Sequence, residues 1–417
     1  MGTGMSSATT VGIRMATDAD WDLITTLDER GFGYTAEGDR EPVRAVFEPE
    51  RTTLAALEDQ TVGLASIYSL SMSVPGGALV PTAGVTWVCV QPTHRRQGVL
   101  TAMMRAQLEQ VRDRGEEPVL ALFASDPGIY GRFGYGLASR ALSVSIPTQR
   151  GDLAWAVDPE PGLVARLAEP REVRPLLEEL ARRVAAYRAG GLVRSSQWWD
   201  LHLHDDPTMR DGYTALRALL VEDAAGPRAY ALYRTKIDWG ELTGGGDLLV
   251  RELGYVDAPA ATALWRTLLG HDLIRTVSVP SLPLDDPLMW LLGDVRSPRP
   301  RLSDRLFVRI VDVPGALQAR SYATAVDVVL DVSDAFAPWA GGRFRLTAGP
   351  EGATCTPTSD APDIALGAAE LGAIYLGDTP LGALADAGRV RELSSGAVAA
   401  TARSFQGPRA AWCPFFF

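Results

Sequence analysis

The chain has 417 residues, a net charge of −11, and 46% hydrophobic and 22% charged residues. This composition is typical of a globular protein, and the length suits roughly two to four domains, most simply three. The negative charge excludes a broad basic surface for nucleic acid or anionic membranes, and it is compatible with cationic small molecules or basic peptides as partners.

The cysteines indicate the compartment. Cys89, Cys355 and Cys413 lie far apart, without a Cys-x-x-Cys pair, so no zinc or iron–sulfur site is expected and a reducing compartment fits best. Residues 1–10 are small and polar and lack the apolar core of a signal peptide. No apolar run approaches the ~18 residues that span a bilayer. We therefore expect a cytoplasmic protein with no metal site and no membrane or nucleic-acid partner.

The first segment, at about 11–145, shows the element order β-α-β-β-β-α-β. Apolar periodicity and turn residues predict a helix that begins after Thr17, a second helix at 99–112, and strands at 11–15, 52–57, 62–74, 85–90 and 119–123. The strand at 119–123 is nearly all apolar, which is consistent with burial on both faces.

The second segment, at about 163–297, repeats this order in degraded form. Its helices are predicted at 172–187 and 258–269, and its strands at 164–167, 216–221, 229–234, 248–255 and 275–279. The Pro-rich stretch 279–300 is typical of a linker. A third segment follows from about 306, with strands predicted at 307–310, 325–332 and 342–348 and helices at 313–320, 368–374 and 381–387.

The sharpest local pattern is Val-Cys-Val-Gln-Pro-Thr-His-Arg-Arg-Gln-Gly-Val-Leu at 88–100. A strand ends at a turn, and a helix begins whose unpaired N–H groups and dipole attract an anion. Gly98 lets a phosphate approach the backbone, and Arg95 and Arg96 add charge-assisted hydrogen bonds. The pattern predicts a pyrophosphate ligand, although its spacing fits neither a dinucleotide nor a P-loop motif. A capped surface helix with two solvated arginines is the alternative.

Residues 95–100 resemble the acetyl-CoA loop of the GNAT superfamily, [QR]-x-x-G-x-[GA], with Leu100 at the final position. That departure and the segments 125–136 and 305–314 are similar to the Eis (enhanced intracellular survival) family of actinobacterial acetyltransferases. The resemblance spans nearly the whole chain. It implies an α/β (α+β) fold with a GNAT acetyltransferase domain at 1–150, a degenerate GNAT-like domain at 151–300 and a sterol-carrier-protein-like domain at 301–417. It also implies acetyl-CoA as co-substrate and a homo-hexamer.

The resemblance also assigns the donor site. It implies that acetyl-CoA is bound by Val88, Cys89, Val90, Arg95, Arg96, Gln97, Gly98, Val99, Leu100 and Thr101, with Ser125 contacting the CoA arm. The second segment lacks such a turn, and Asp257 at its strand-to-helix junction would repel phosphate. We therefore expect the second segment to bind no CoA.

Two groups are candidates for proton transfer. In GNAT transfer an amine attacks the thioester directly, and a tyrosine hydroxyl near the sulfur can protonate the leaving thiolate. The match to the family motif assigns this role to Tyr130 and leaves Tyr135 as a structural aromatic, whereas a core position is the alternative for either. In the family the C-terminal carboxylate enters the site. Here it belongs to Phe417, and an ionised α-carboxylate can orient and deprotonate an ammonium, although the tail rings can instead merely dock on the core.

The acceptor site is assigned in the same way. The resemblance places Phe32 in the pocket and Tyr34 where the family has an acid, and Trp199 is a further candidate, whereas Trp198 is expected in the core. Aromatic and acidic side chains suit polycationic amines. The acid missing at Tyr34 can be replaced from the same loop by Glu37, Asp39 or Glu41.

These assignments predict an acetyl-CoA-dependent N-acetyltransferase that acts on aminoglycosides or similar polyamine compounds, with acetylation at several positions. The tyrosine at position 34 leaves a less acidic pocket as an alternative, and the acceptor would then be a protein or peptide lysine. A lipid-binding protein without enzymatic activity, acting through the third segment, is the remaining hypothesis.

Overall fold

The computed structural model describes residues 10–155, 157–158, 160–240 and 245–417, so the expectation about residues 1–9 lies outside the described part. The elements of the first part of the chain begin with a strand of the predicted bounds. They are β1 (Val11–Met15), α1 (Trp21–Phe32), α2 (Glu41–Arg44), β2 (Thr53–Leu57), β3 (Gln60–Ser73), β4 (Leu79–Val90), α3 (Val99–Arg114), β5 (Val119–Phe123), α4 (Pro127–Tyr130), β6 (Gly136–Leu137) and β7 (Arg140–Pro147).

The second part of the chain again combines long strands with one long apolar helix, which has the predicted bounds 258–269. Its elements are β8 (Val164–Ala168), α5 (Arg174–Ala186), β9 (Leu192–Val193), α6 (Ser196–His202), β10 (Arg217–Asp223), β11 (Gly226–Asp238), β12 (Gly245–Tyr255), α7 (Ala258–Leu269), β13 (Ile274–Leu282), α8 (Leu288–Leu291) and β14 (Arg301–Asp304).

The last part of the chain has shorter elements. They are β15 (Leu306–Ile310), α9 (Val313–Gln318), β16 (Val326–Ser333), β17 (Gly342–Gly349), β18 (Gly352–Pro357), β19 (Ile364–Gly367), α10 (Ala368–Ile374), α11 (Leu381–Asp386), β20 (Val390–Glu392) and α12 (Ala397–Phe405). Across the described residues, no helix is both long and apolar enough to cross a bilayer.

The strands form three sheets. The first has the order β1-β2-β3-β4-β5-β15-β6, with β9 added to β3, and the second has the order β14-β7-β13-β12-β11-β10-β8. In the first sheet β4 and β5 are parallel, and the crossover between them contains α3. In the second sheet β12 and β13 are parallel, and their crossover contains α7. The third sheet has the order β18-β17-β16-β19-β20. The repeat of pattern in the sequence is therefore a repeat of topology.

The chain segments interleave between the sheets. Strand β7 lies in the second sheet, and β15, from the start of the third segment, lies in the first sheet between β5 and β6. All five residues of β15 are buried, as expected for a strand with a neighbour on each side. The third segment therefore completes the sheet that the first segment builds.

The prediction of a linker at 279–300 is wrong. Strand β13 continues to Leu282, and Leu282, Leu288 and Leu292 are almost fully buried in the core of the second sheet. The prolines interrupt regular structure, but the leucines between them supply enough apolar surface to hold the segment on the domain.

Candidate active site

A cleft opens where the parallel strands of the first sheet diverge. Strands β4 and β5 are paired only at Thr82–Gly84 and Val119–Ala121. Beyond this point β4 bulges, and Trp87 has a positive φ of 54°. Bulges of this kind bend a strand and re-aim its side chains. The result is a cavity of about 840 Å³ beside the last residues of β4.

This first cavity brings together nearly all of the residues predicted for the donor site. Gln97 is not among the lining residues, whereas His94 and Arg132 are, and neither of those two was predicted as a cofactor residue. The predicted residues that line the cavity are Val88, Cys89, Val90, Arg95, Arg96, Gly98, Val99, Leu100, Thr101 and Ser125.

The turn before α3 has the backbone shape that an anion site needs. Arg96 and Gly98 have φ of 63° and 84°, and Gly98 is the N-cap of the 16-residue helix α3. The first N–H groups of this helix have no partner within the helix, and its dipole adds positive potential at the cavity. The turn can therefore hold the pyrophosphate of CoA, with Arg95 and Arg96 beside it.

We expect Gly98→Ala to weaken CoA binding about tenfold, because a Cβ is strained at φ 84° and would crowd the phosphate. Calorimetric titration with CoA measures the change. Gly115→Ala is the matched control, since Gly115 ends the same helix at φ 66° away from the cavity. If both variants lose CoA affinity equally, the effect of Gly98 is on helix stability rather than on phosphate binding.

Tyr130 lies at the end of the short helix α4, on the wall of the first cavity. The Asp126 carboxylate caps this helix by accepting a hydrogen bond of 3.0 Å from the Gly128 N–H. Tyr130 is only 7% exposed, and burial, with the nearby Asp126 charge, raises the pKa of its phenol to about 12. The hydroxyl therefore holds its proton at neutral pH, so the acid form of Tyr130 is the one that faces the cavity.

Tyr135 occupies a different environment. Its ring packs edge-on against Tyr130 at 5.9 Å between centroids, and it is fully buried without reaching the lining of the cavities on either side of Tyr130. The Arg309 side chain from β15 lies beneath this turn, and a Cβ on Gly134 (φ 84°) would sit 2.8 Å from the Arg309 Nε. Arg309 is itself paired with Asp334, so the third segment supports the turn that carries Tyr130.

A second cavity, of about 430 Å³, meets the first at Tyr130. The residues that line both cavities are Phe32, Val88, Ser125 and Tyr130. Phe417 lines the second cavity only, together with Phe416 and Trp87. Ligands in the two cavities would therefore meet beside the Tyr130 side chain.

The C-terminal tail is docked by both neighbouring domains. Phe417 is 7% exposed, its ring lies 5.2 Å from that of Phe123, and a methyl group at Gly84 would come within 3.0 Å of it. Phe415 is stacked under the Arg194 guanidinium at 4.3 Å. Glu252 of β12 holds Arg194 through a buried ion pair of 2.5 Å. The second sheet thus fixes the tail that reaches into the first sheet's cleft.

Asp28 is the acidic residue of the second cavity, and sequence reasoning missed it. It is nearly buried on α1 and lines the cavity, whereas Glu37, Asp39 and Glu41 do not. Burial raises the pKa of Asp28, while the hydrogen bond that the Tyr34 hydroxyl donates to it opposes the rise. A signal was present, because Asp28 lies four residues after Ile24 and directly after Leu27, on the apolar face of the helix.

The structure contradicts the expected place of Trp199, whereas Trp198 packs against the hydrophobic core as expected, and neither tryptophan lines the two cavities. Trp199 is 4% exposed, packs edge-on against His202 and lies apart from both cavities, while Trp198 is half-buried. The Trp198 ring lies 4.9 Å from Tyr68, whose hydroxyl accepts a hydrogen bond from Trp87. The geometry therefore does not support an acceptor contact for Trp199, because α6 turns that side chain into the core of the second domain.

The junction between β12 and α7 in the second sheet differs from the junction between β4 and α3 in the first. The Asp257 carboxylate accepts a hydrogen bond of 2.9 Å from the Ala260 N–H and pairs with Arg228 at 2.8 Å. The start of α7 is thus capped by an acid of its own chain. That the second domain binds no CoA stays a prediction. Over the ranges that the structure describes, no group of three or more His, Cys, Asp or Glu side chains is placed to hold a metal ion.

Comparisons with known proteins match this architecture. Models of the acetyltransferase (GNAT) domain match residues 12–138 and 190–310, and a sterol carrier protein domain model matches 313–414. The chain is 40% identical over 343 residues to the N-acetyltransferase Eis of Mycobacterium tuberculosis, which covers 81% of each protein. The chain belongs to the Eis family of GNAT N-acetyltransferases.

Two further matches cover nearly the whole chain. An uncharacterized N-acetyltransferase of Streptomyces avermitilis is 40% identical over 98% of this chain and all of its own length. The crystal structure of Eis1 from Mycobacterium abscessus superposes with a TM-score of 0.83 at 29% identity, over 98% of this chain and 100% of that one. The expected fold class and the assignment to the acyltransferase enzymes are confirmed. GNAT acetyltransferases use acetyl-CoA as the acetyl donor.

Proposed function

We propose that this Eis-family protein transfers the acetyl group of acetyl-CoA to a primary amine of an aminoglycoside or a similar polyamine compound, at more than one position. The observation that carries the proposal is the meeting of the two cavities at Tyr130, with Phe417 on the acceptor side. One cavity offers a phosphate-binding turn, and the other offers aromatic rings and carboxylates. This division suits a CoA thioester on one side and a cation on the other.

The proposed reaction is a direct transfer. The Phe417 carboxylate accepts a proton from the acceptor ammonium, and the neutral amine nitrogen attacks the thioester carbonyl carbon. A C–N bond forms and the C–S bond breaks, and the leaving thiolate takes the proton of the Tyr130 hydroxyl. The nitrogen of the new amide then gives a proton back to Tyr130. The proton that the Phe417 carboxylate took from the ammonium passes to solvent, so each turnover releases one proton. Holding both substrates in adjoining cavities supplies the proximity that the step requires.

The acceptor cavity supports a cationic substrate. Phe32, Trp87 and Phe123 present aromatic surface, Asp28 contributes a carboxylate, and Phe417 also lines the cavity. In the proposed mechanism the Phe417 carboxylate adds a second negative charge. Cations are attracted both to aromatic faces and to carboxylates in a partly desolvated site. Asp28 therefore replaces the acid whose absence at Tyr34 had favoured a less acidic pocket.

A protein or peptide lysine is the second candidate acceptor. The observation that favours it is the position of Arg40, whose guanidinium lies 3.9 Å from Asp28 and so offsets part of the negative charge in the cavity. An acceptor with a single ammonium fits such a cavity. The hypothesis of a lipid-binding protein without enzymatic activity is set aside, because the chain belongs to a family of N-acetyltransferases.

Thiol release from acetyl-CoA tests the proposal, measured without acceptor, with a panel of aminoglycosides, with spermine and with a lysine peptide. Stimulation by aminoglycosides or spermine is expected, and mass spectrometry of the products then counts the acetyl groups added. Stimulation by the peptide alone would replace the polyamine acceptor with a lysine. If CoA neither stabilises the protein against heat nor yields thiol with any acceptor, the proposed donor site is wrong.

The homo-hexamer and the cytoplasmic location stay predictions from the family resemblance and the sequence. Light scattering of the purified protein tests the first of them. A mass near six times 44.7 kDa is expected, and the mass of a monomer would contradict it.

A further inference from the structure

A cation of the protein itself lies in the acceptor cavity. The Arg40 guanidinium carbon is 5.8 Å from the centre of the Trp87 ring and 5.9 Å from that of Trp21. Its nitrogens lie 3.9 Å from the Asp28 carboxylate and 3.7 Å from that of Glu29. The Arg40 side chain is 22% exposed and lines the cavity together with Phe417.

These contacts are the ones that a substrate ammonium would use. Aromatic faces and carboxylates attract any cation, and the positive group now among them is a side chain of the same polypeptide. The two ion-pair distances exceed the roughly 2.7–2.9 Å of a charge-assisted hydrogen bond, so Arg40 is held loosely. By contrast, the Tyr34 hydroxyl donates a hydrogen bond directly to Asp28.

The loop that carries Arg40 makes such a movement feasible. Arg40 immediately precedes the one-turn helix α2, and the loop before it is attached through the Asp39 N–H, which donates a hydrogen bond of 3.0 Å to the Asp206 carboxylate. The Arg40 side chain can therefore rotate out of the cavity while its backbone stays in place. Its long, flexible stem allows the charge to remain solvated after the rotation.

We propose that Arg40 is a specificity-determining residue that competes with polycationic acceptors for the aromatic and acidic part of the cavity. The inference rests on the proposed function, because it concerns the acceptor side of the same site. An acceptor with several ammonium groups has to displace Arg40 from Asp28 and Trp87. An acceptor with one amine reaches Phe417 without this displacement. Arg40 therefore weakens binding of polycations and leaves monoamines unaffected.

The chain offers a matched control in Arg44. Its guanidinium also lies over Trp21, at 5.7 Å, and it pairs with Glu41 at 3.9 Å. The Arg44 side chain is 46% exposed and does not line the acceptor cavity. Arg44→Gln therefore removes the same charge from the same short segment without freeing Asp28, and it corrects for any long-range electrostatic effect.

Calorimetric titration of spermine into the full-length protein saturated with CoA tests the proposal without turnover. We expect Arg40→Gln to lower the Kd for spermine at least fivefold, and Arg44→Gln to leave it within about twofold of wild type. Arg40→Met, which keeps an apolar stem of similar width, serves as a second variant if the glutamine variant does not fold. The ratio of kcat/KM for spermine to that for butylamine should rise by the same factor.

Each outcome decides the proposal. A Kd that is unchanged or higher in the folded Arg40 variants, an equal decrease in Arg44→Gln, or no spermine binding in any form would overturn it. The proposed function is judged separately, by thiol release from acetyl-CoA. A wild-type protein that binds spermine more weakly than Arg40→Gln but releases no thiol with any acceptor would support the role of Arg40 and contradict the acetyl transfer.

Discussion

Tyr130→Phe is expected to lower kcat by about a hundredfold or more while leaving the Kd for CoA unchanged. The substitution removes only the hydroxyl, and general acid catalysis by one positioned group contributes about 10²- to 10⁴-fold. The ring still fills its place against Tyr135 and on the cavity wall. Steady-state kinetics with a saturating acceptor and calorimetric titration with CoA measure the two quantities.

Tyr135→Phe is the matched control, because it removes a hydroxyl from the neighbouring buried ring. We expect it to keep kcat within a few fold of wild type. Equal losses in the two variants would mean that the packing of this aromatic pair, rather than proton donation, limits the rate. A Tyr130→Phe enzyme that loses CoA affinity would indicate a structural role for the hydroxyl.

The pH profile gives an independent check on Tyr130. Its pKa is raised to about 12, first by burial and then by Asp126, and the acid form is the active one. As pH rises, the phenol therefore keeps its proton until the pH approaches this value. We expect kcat to be flat from about pH 8 to about pH 10. A loss of kcat with an apparent pKa within this range would contradict a buried phenol as the acid.

Replacement of the terminal carboxylate of Phe417 by an amide is expected to lower kcat/KM for the acceptor by at least a hundredfold. The amide keeps the ring contact with Phe123 and the tail packing, but it cannot accept the ammonium proton. Cys413 makes the experiment possible, because a synthetic peptide of residues 413–417 can be ligated to a thioester of residues 1–412. Acceptor kinetics of the ligated protein give the result.

The ligated protein with the free acid is the control, and it has to recover the activity of the intact chain. The Kd for CoA should be the same in the acid and amide forms. Full activity of the amide form would remove the carboxylate from the mechanism and leave the tail as a packing element, which was the alternative from the sequence. An amide form that also loses CoA binding would indicate that the tail had not docked.

Most of the lining of the first cavity could be predicted because its residues are local in sequence. Residues 88–101 contain the end of β4, the turn and the start of α3, so one continuous motif supplies most of the lining of the first cavity. Gly98 and the two arginines carry a chemical signal that needs no distant partner. Tyr130 was chosen over Tyr135 by the match of residues 125–136 to the family motif, and its role as the acid stays a prediction.

The lining of the second cavity could not be predicted to the same extent, because its residues come from distant parts of the chain. The carboxylate of Asp28, the ring of Trp87 and the tail at Phe417 meet only after the first sheet has formed. The prediction of Trp199 as a pocket residue was wrong because α6 turns its side chain into the core, and a seven-residue helix carries too weak a periodicity to show this. The ion pair of Arg194 with Glu252 could not be predicted either, because the two residues lie far apart in the sequence.

The sequence by itself indicated the family, through motifs of adjacent residues at 88–100, 125–136 and 305–314. Apolar periodicity also predicted the longer helices and strands, because both signals are local, whereas shorter elements such as α6 and β9 were not predicted. Only the tertiary structure decided which strands share a sheet. It placed β15 between β5 and β6, which puts Arg309 beneath the turn that carries Tyr130. It also brought Asp28, Arg40 and Phe417 together in the lining of the second cavity. Such contacts join residues hundreds of positions apart, and they are set by burial of apolar surface rather than by any local signal.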